Sequence, residues 1–497
     1  MSVLRPGETC WRQAHADRAA FLIDTEAYFA AVFAAIQKAK RSILLLGWGF
    51  DPRTRLFPDG YDVPGDPDEV GRVLVELACS RPELDIRLLI WKSALPISAS
   101  QQFFPHKARK WFENTPVHFR LDDQVPFGAC HHQKVLVIDE ALAFCGGGDI
   151  AVDRWDTPAH LDDDQRRIMP DQDHHAPRHE VMMMVDGDAA RALGDLARIR
   201  WFRATGETLE PRPADGDPWP EHVPAAITHA EVAIARTEPA WKARAPVEEI
   251  RDLTLESIYA AKKLIYLENQ YFTSPVVTEV IAQRLGQPDG PAVVLVSTGE
   301  APSWFDRLTM DRARAALIWR LRAADVYGRF RALRPITPGG VTIIVHSKVT
   351  VVDDRIVRVG SANLNNRSGG FDTECELAIE SGDPETQIAI GAFRDRLVGH
   401  FIGYTGEAVA RASAELGGMV AAIDSLNREG RLASIEPAPM TPFGAFVSRY
   451  HLGDPANVSD SWRVGRRRER LYSEARAVTS LHALGLQANS KSITSGR

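Results

Sequence analysis

Two stretches of the chain carry the same set of reactive side chains. His132-Gln133-Lys134 is followed by Asp139, and His346-Ser347-Lys348 is followed by Asp353. Beyond each lies a small-residue turn: Gly146-Gly147-Gly148-Asp149 at an offset of 149 − 132 = 17, and Gly360-Ser361-Ala362-Asn363 at 363 − 346 = 17. A single triplet of this kind arises by chance in a long chain. Two copies with the same sequel do not, and a pair of satisfied core histidines leaves the repeat unaccounted for. The chemistry these residues suit is attack at a phosphodiester. Such a diester is anionic and resists nucleophiles, so a catalyst must supply an oriented nucleophile, neutralise the oxygens and protonate the leaving alkoxide. One imidazole can attack while the other gives the proton. Lys134 and Lys348 would hold the non-bridging oxygens, helped by Asn363, Ser361, Asp149 and the amides around Gly147. On a strand, residues i and i+2 share a face, so each histidine projects with its lysine.

The elements that must position these groups also come twice. Glu26 to Lys40 has helical periodicity and runs into the apolar stretch Ile43 to Phe50. Val247 to Lys263 is again helical and runs into Ile265 to Phe272. Further strands are expected at Ile86–Trp91 and Val293–Val296, helices at Gln101–Asn114 and Trp304–Arg322, and then the two motif strands, Lys134–Asp139 and Lys348–Asp353. Each motif strand turns at an acidic pair, Asp139-Glu140 or Asp353-Asp354, into a returning strand. Alternating strands and helices predict an α/β fold of two related, layered halves about a pseudo-twofold axis, with the active site at their interface. The halves are expected at 1–205 and 225–410, joined by a Pro-, Gly- and acid-rich linker at 206–224. A helical extension at 411–497 follows, ending in a polar, disordered tail from Gln487. A strand at Cys375–Ile379 and a helix through Phe393–Gly403 complete the second half.

Composition sets the outer limits. The chain of 497 residues is longer than one hydrophobic core usually covers. Its net charge of −7 argues against a nucleic-acid partner. Five scattered cysteines without a CxxC pair read as small reduced core residues. No apolar signal core or membrane-spanning run is visible, which points to cytoplasmic residence with peripheral access to membranes. Asp171, Asp173, His174, His175 and His179 read as a solvated acidic loop rather than a metal site. Met182-Met183-Met184 reads as a core strand, and Arg466-Arg467-Arg468 as a solvated helix face.

The doubled motif resembles that of the phospholipase D superfamily, whose hallmark is two HxKxxxxD motifs on duplicated α/β halves. His131-His132-Gln133-Lys134, Gly146 to Asp149 and Arg154-Trp155-Asp156-Thr157 resemble the phosphatidylcholine-cleaving branch. So do Ile265 to Ser274, His346 to Asn363, Arg367-Ser368 and Asp372-Thr373-Glu374. Pro177-Arg178-His179-Glu180-Val181 resembles that branch's PWHDV segment, with Arg178 and Glu180 departing from the commonest letters. The similarity runs from about residue 25 to about residue 405. It implies a bacterial-type member without the regulatory lipid-binding modules of many eukaryotic relatives.

The resemblance further implies a ping-pong phospholipase D reaction through a phosphohistidine, needing neither cofactor nor metal, with transphosphatidylation as a companion activity. His132 is then the nucleophile and His346 the general acid, although the sequence alone permits the reverse. Asp139 and Asp353 are expected to be structural. The carboxylate behind His346 is expected to be Glu374, and Asp156 is a weaker candidate for His132. A cardiolipin-synthase-like phosphatidyltransferase, a superfamily nuclease and a non-catalytic scaffold are the competing readings. Headgroup preference and oligomeric state stay open.

Overall fold

The computed structural model describes residues 2–58, 68–93, 104–301, 303–437 and 441–483. The first part of the chain forms β1 (Arg12–Ile23), β2 (Ser42–Gly47), β3 (Asp85–Trp91), β4 (His118–Asp122), β5 (Val135–Ile138), β6 (Leu142–Gly146), β7 (Arg178–His179) and β8 (Val181–Asp186). The second part forms β9 (Ile227–Glu238), β10 (Val247–Glu248), β11 (Leu264–Glu268), β12 (Ala292–Val296) and β13 (Phe330–Pro335). It continues with β14 (Ile344–Val345), β15 (Val349–Val352), β16 (Ile356–Gly360), β17 (Glu374–Glu380) and β18 (Leu432–Ser434).

All but β7 and β14 join one 16-stranded sheet. Its centre is the long antiparallel pair β1–β9. Outward from β1 the order is β8-β6-β5-β2-β3-β4, and outward from β9 it is β17-β16-β15-β11-β12-β13, with β18 at the edge. The two halves therefore repeat strand for strand about the β1–β9 seam. β5, β6, β8, β11, β15 and β16 are buried along their whole length, the signature of a sheet covered on both faces. Helices Thr25–Lys38 and Val70–Ser80 cover one face of the first half. On the other face, helices Gly187–Thr205 and Pro384–Ile402 share a core with strands of both halves. The triple methionine lies in β8 within these cores, as expected.

The acidic pairs make the hairpins. Asp139 and Glu140 have φ of 53° and 57°, and Asp353 and Asp354 have 56° and 57°. Two consecutive left-handed residues define the tight turn that matches strand twist, and Asp tolerates that conformation better than most side chains. Each first Asp also stitches the hairpin to the start of a neighbouring strand. Asp139 accepts the backbone N–H groups of Lys40, Arg41 and Ser42 at 2.7–2.8 Å. Asp353 accepts those of Lys262, Lys263 and Leu264 at 2.6–2.8 Å.

Several local expectations change. The helix expected at Gln101–Asn114 is Pro105–Trp111, begun by proline in its first turn, while residues 101–103 lie outside the described residues. Trp304–Arg322 is broken by a π-helical turn at Arg307–Asp311. The 206–224 segment has no regular structure, yet it is tied down: Asp217 pairs with Arg18, and the buried Trp219 donates to Val223 O. Past residue 406 the chain adds helices Gly406–Glu415, Met419–Leu426, Pro442–Tyr450 and Val464–Ala483, and the polar tail from Gln487 lies outside the described residues. Arg467 is buried rather than solvated, because its guanidinium caps the carbonyls of His451, Asp460 and Ser461.

Candidate active site

Each motif histidine sits just ahead of its strand, β5 or β15, in a segment held by the opposite half. The His132 N–H donates to Thr373 O at 2.9 Å, and the His346 N–H donates to His179 O at 2.8 Å. β7 and β14 pair in parallel beside this second contact. Backbone bonds across the interface therefore fix where both rings project.

The carboxylates behind the imidazoles are exchanged between the halves. His132 Nδ1 lies 2.9 Å from Glu374 Oε2. His346 Nδ1 lies 2.6 Å from Glu180 Oε2. Glu374 thus serves His132, not His346 as the sequence suggested, and Asp156 serves neither. Glu374 opens β17 and Glu180 immediately precedes β8, so the two glutamates are equivalents under the internal repeat. β8 and β17 flank the β1–β9 seam, which aims each carboxylate at the histidine of the other half. Asp156 is fully buried elsewhere, 2.8 Å from His160 Nδ1 and accepting the Arg178 N–H. The signal for Glu180 was present in the sequence, at the position where the resembling PWHDV segment carries its aspartate.

The two pairs differ in support. Ser361 Oγ and Ser368 Oγ both donate to Glu374. Glu180 takes the Val181 N–H, and the residue matching Ser361 is Gly147, where a Cβ would stand 2.4 Å from Glu180 Oε1. Ser361 and Gly147 therefore shape the two carboxylate sites. Asp149 is likewise occupied: Oδ1 accepts the Trp48 and Gly49 N–H groups, and Oδ2 lies 3.2 Å from Lys134 Nζ. Its counterpart Asn363 carries no charge, and its buried Oδ1 has no hydrogen-bond partner among the described residues. Lys348 is bonded to Gln270 Oε1 at 3.3 Å and to His346 O, with no carboxylate bonded to it among the described residues.

Electrostatics follow from this burial. Desolvation holds both imidazoles well below 6.5, and the charges of Lys134 and Lys348 bear on each of them in the same sense. Arg178 and Arg154 add to the positive field at His346. Burial raises Glu180 and lifts Glu374 to about 7, against the two serine donors. Burial lowers Lys348 to about 7, partly offset by Glu180. Burial thus disfavours charge on both members of each imidazole–carboxylate pair, and no partner of His132 Nε2 is found among the described residues. His131 faces away: its Nε2 lies 3.0 Å from Asp122 and its Nδ1 meets Thr373.

Two family models match the chain. The one described as Phospholipase D covers residues 35–277, and the one described as Cardiolipin synthase, PLD-like domain, covers residues 254–394. Bovine Phospholipase D2 is 25% identical over 483 residues, covering 75% of this chain and 50% of its own length. Phospholipase D alpha 4 of Arabidopsis thaliana is 24% identical over 481 residues, covering 73% of this chain and 62% of its own length. Among solved structures, phosphatidylserine synthase of Haemophilus influenzae Rd KW20 superposes with a TM-score of 0.53 at 13% identity, over 84% of this chain and 97% of that one. The duplicated α/β sheet is thus a fold shared with that synthase. The chain belongs to the phospholipase D superfamily. It spans about half the length of the bovine relative.

Proposed function

We propose that the protein is a phospholipase D that cleaves the distal phosphodiester bond of glycerophospholipids to phosphatidic acid and a free headgroup alcohol. The observation that carries this reading is the pair of imidazoles, each backed by a carboxylate of the opposite half and each within the field of both motif lysines. His132 Nε2 attacks phosphorus, aided by Glu374, whose two hydroxyl donors suit it to stabilise the charged phospho-imidazole. His346 Nε2 protonates the departing headgroup oxygen as the P–O bond breaks. Water then gives its proton back to His346 and displaces His132, releasing phosphatidic acid. An alcohol in place of water gives the phosphatidyl alcohol. Lys134 and Lys348 neutralise the non-bridging oxygens throughout.

Access to lipid is supported by the loop leading into the first motif. Phe127 is 77% exposed and stacks on Trp462, which is 74% exposed, with centroids 5.7 Å apart. Aromatic rings held out in this way suit a membrane interface. No helix among the described residues is long and apolar enough to cross a membrane, so we read the protein as a peripheral visitor to the lipid surface. A phosphatidyltransferase is the second reading, favoured by the cardiolipin-synthase-type match to the second half. Labelled phosphatidylcholine and phosphatidylethanolamine vesicles, with and without ethanol, test both. Phosphatidic acid, diverted to phosphatidylethanol by the alcohol, is the expected result. Product formed solely when phosphatidylglycerol and a glycerol-bearing acceptor are supplied would favour the transferase. Cleavage of DNA alone would overturn both.

A further inference from the structure

A second cluster of reactive side chains lies next to the site and has no part in the chemistry above. Asp24, His160, His179 and His400 each bring one ligand atom within 4.8 Å of the others. Three of these atoms make a tight triangle. His160 Nε2 and His400 Nε2 are 2.9 Å apart, and Asp24 Oδ2 stands 3.6 Å from the first and 3.3 Å from the second. Zinc ligands at about 2.0–2.1 Å in a tetrahedron are separated by roughly 3.3 Å, so these three match one face of such a site.

The surrounding contacts favour the same reading. His160 Nδ1 faces Asp156 Oδ2 at 2.8 Å, so its proton resides there and Nε2 presents a lone pair to the triangle. That is the carboxylate–histidine arrangement that orients metal-bound imidazoles. Asp24 is completely buried, and among the described residues its Oδ2 makes no hydrogen bond, only the approach of the two imidazole nitrogens. An orphaned carboxylate oxygen in that setting is costly unless a cation answers it. Its other oxygen is fixed by His179 Nδ1 at 2.8 Å, and His179 Nε2 is held by Glu268 at 2.9 Å.

We propose that Asp24, His160 and His400 bind a structural divalent transition-metal ion, zinc by geometry and ligand type, which staples the two halves together. Asp24 and His160 belong to the first half, and His400 lies near the end of helix Pro384–Ile402 in the second. His179 orients Asp24 from the fourth side, and its carbonyl is the acceptor that holds the backbone of His346. The metal thus braces the segment that positions one of the two motif histidines, without touching substrate.

The test is metal analysis of the full chain, independent of turnover. Purified protein is expected to retain about one equivalent of zinc through gel filtration and to lose it to a soluble chelator with a fall in melting temperature that zinc reverses. Cobalt loaded into the emptied protein is expected to show the intense visible absorption of a tetrahedral site. His160→Asn and His400→Asn, checked for folding by circular dichroism, are each expected to abolish both signals. A double His15→Ala, His229→Ala variant removes the exposed His15–Asp17–His229 group, the other metal-capable cluster among the described residues, and is expected to leave them intact. Folded protein that takes up neither zinc nor cobalt overturns the proposal, as does undiminished metal in the His160 and His400 variants.

Discussion

At the residue scale the decisive feature is that the two histidine–glutamate pairs look alike but are asked to do opposite things. On the proposed mechanism one exposes a lone pair and the other delivers a proton, so the two pairs would differ by a proton when substrate arrives. Their roles separate by leaving group. His346→Asn should lose most turnover on phospholipid, about 10²–10⁴-fold, yet recover much of it on a p-nitrophenyl diester, whose leaving group needs no proton. His132→Asn should be inactive on both, because the covalent step itself is gone. Equal recovery in the two variants would exchange or dissolve the assignments. The pH dependence belongs to the same scale. Burial and the motif lysines disfavour the charged imidazoles, and Lys348, lowered to about 7, is charged below that pH and neutral above it. The rate kcat/KM should therefore be bell-shaped, falling on the acid side as the His132 pair takes up a second proton and on the alkaline side as Lys348 loses its charge. Lys348→Arg should run more slowly but push the alkaline limb to higher pH, because guanidinium stays charged. A profile rising steadily from about pH 5 to about pH 9 would rule out this account.

At the scale of elements, the motif aspartates act on the hairpins and not on phosphorus. Asp139 and Asp353 each satisfy three backbone donors at the head of an adjacent strand while adopting a left-handed turn. Removing either carboxylate strands those N–H groups. Asp139 is itself buried, whereas Asp353 is only half-buried, so water can replace more of what Asp353 supplies. Asp139→Ala is expected to lower stability by roughly 2–4 kcal/mol and Asp353→Ala by about half that, with kcat nearly unchanged in the folded fraction. Chemical denaturation paired with turnover per folded molecule checks this. A large loss of kcat at full stability would move these residues into the reaction.

For the whole molecule, duplication matters because it is reciprocal. Neither half holds both a motif imidazole and the carboxylate behind it, since Glu374 reaches to His132 and Glu180 to His346. The seam β1–β9 is thus as much part of the site as the motifs it brings together. The outer surface adds a second large-scale feature, the stacked Phe127 and Trp462. Replacing both with alanine should weaken vesicle binding and activity on vesicles about tenfold or more, while hydrolysis of a short-chain soluble diester stays near normal. Flotation with liposomes and the soluble assay together decide it. Equal losses in both assays would assign the pair to folding of the loop before His132 instead.

Much was legible from the chain alone because repetition is a property of sequence. The two motifs, the apolar runs behind them and the acidic turns predicted an α/β duplication, and pointed to the phosphate chemistry proposed above, before any contact was known. The structural role of Asp139 and Asp353 could also be read, since the strand between them and their histidines sets a minimum separation. Which carboxylate backs which imidazole could not. Glu374 is nearer in sequence to His346, but β17 lies beside the seam and presents it across the interface. The same limit left the partner of Glu180 unread, and it concealed that Asp149, Ser361 and Gly147 lie against a lysine and two glutamates. Asp24, His160, His179 and His400 are separated by up to hundreds of positions and meet only because β1, β7 and a late helix converge. Sequence determines what each half is made of. Pairing across a twofold depends on distances between chain-distant atoms, and only the folded molecule sets those.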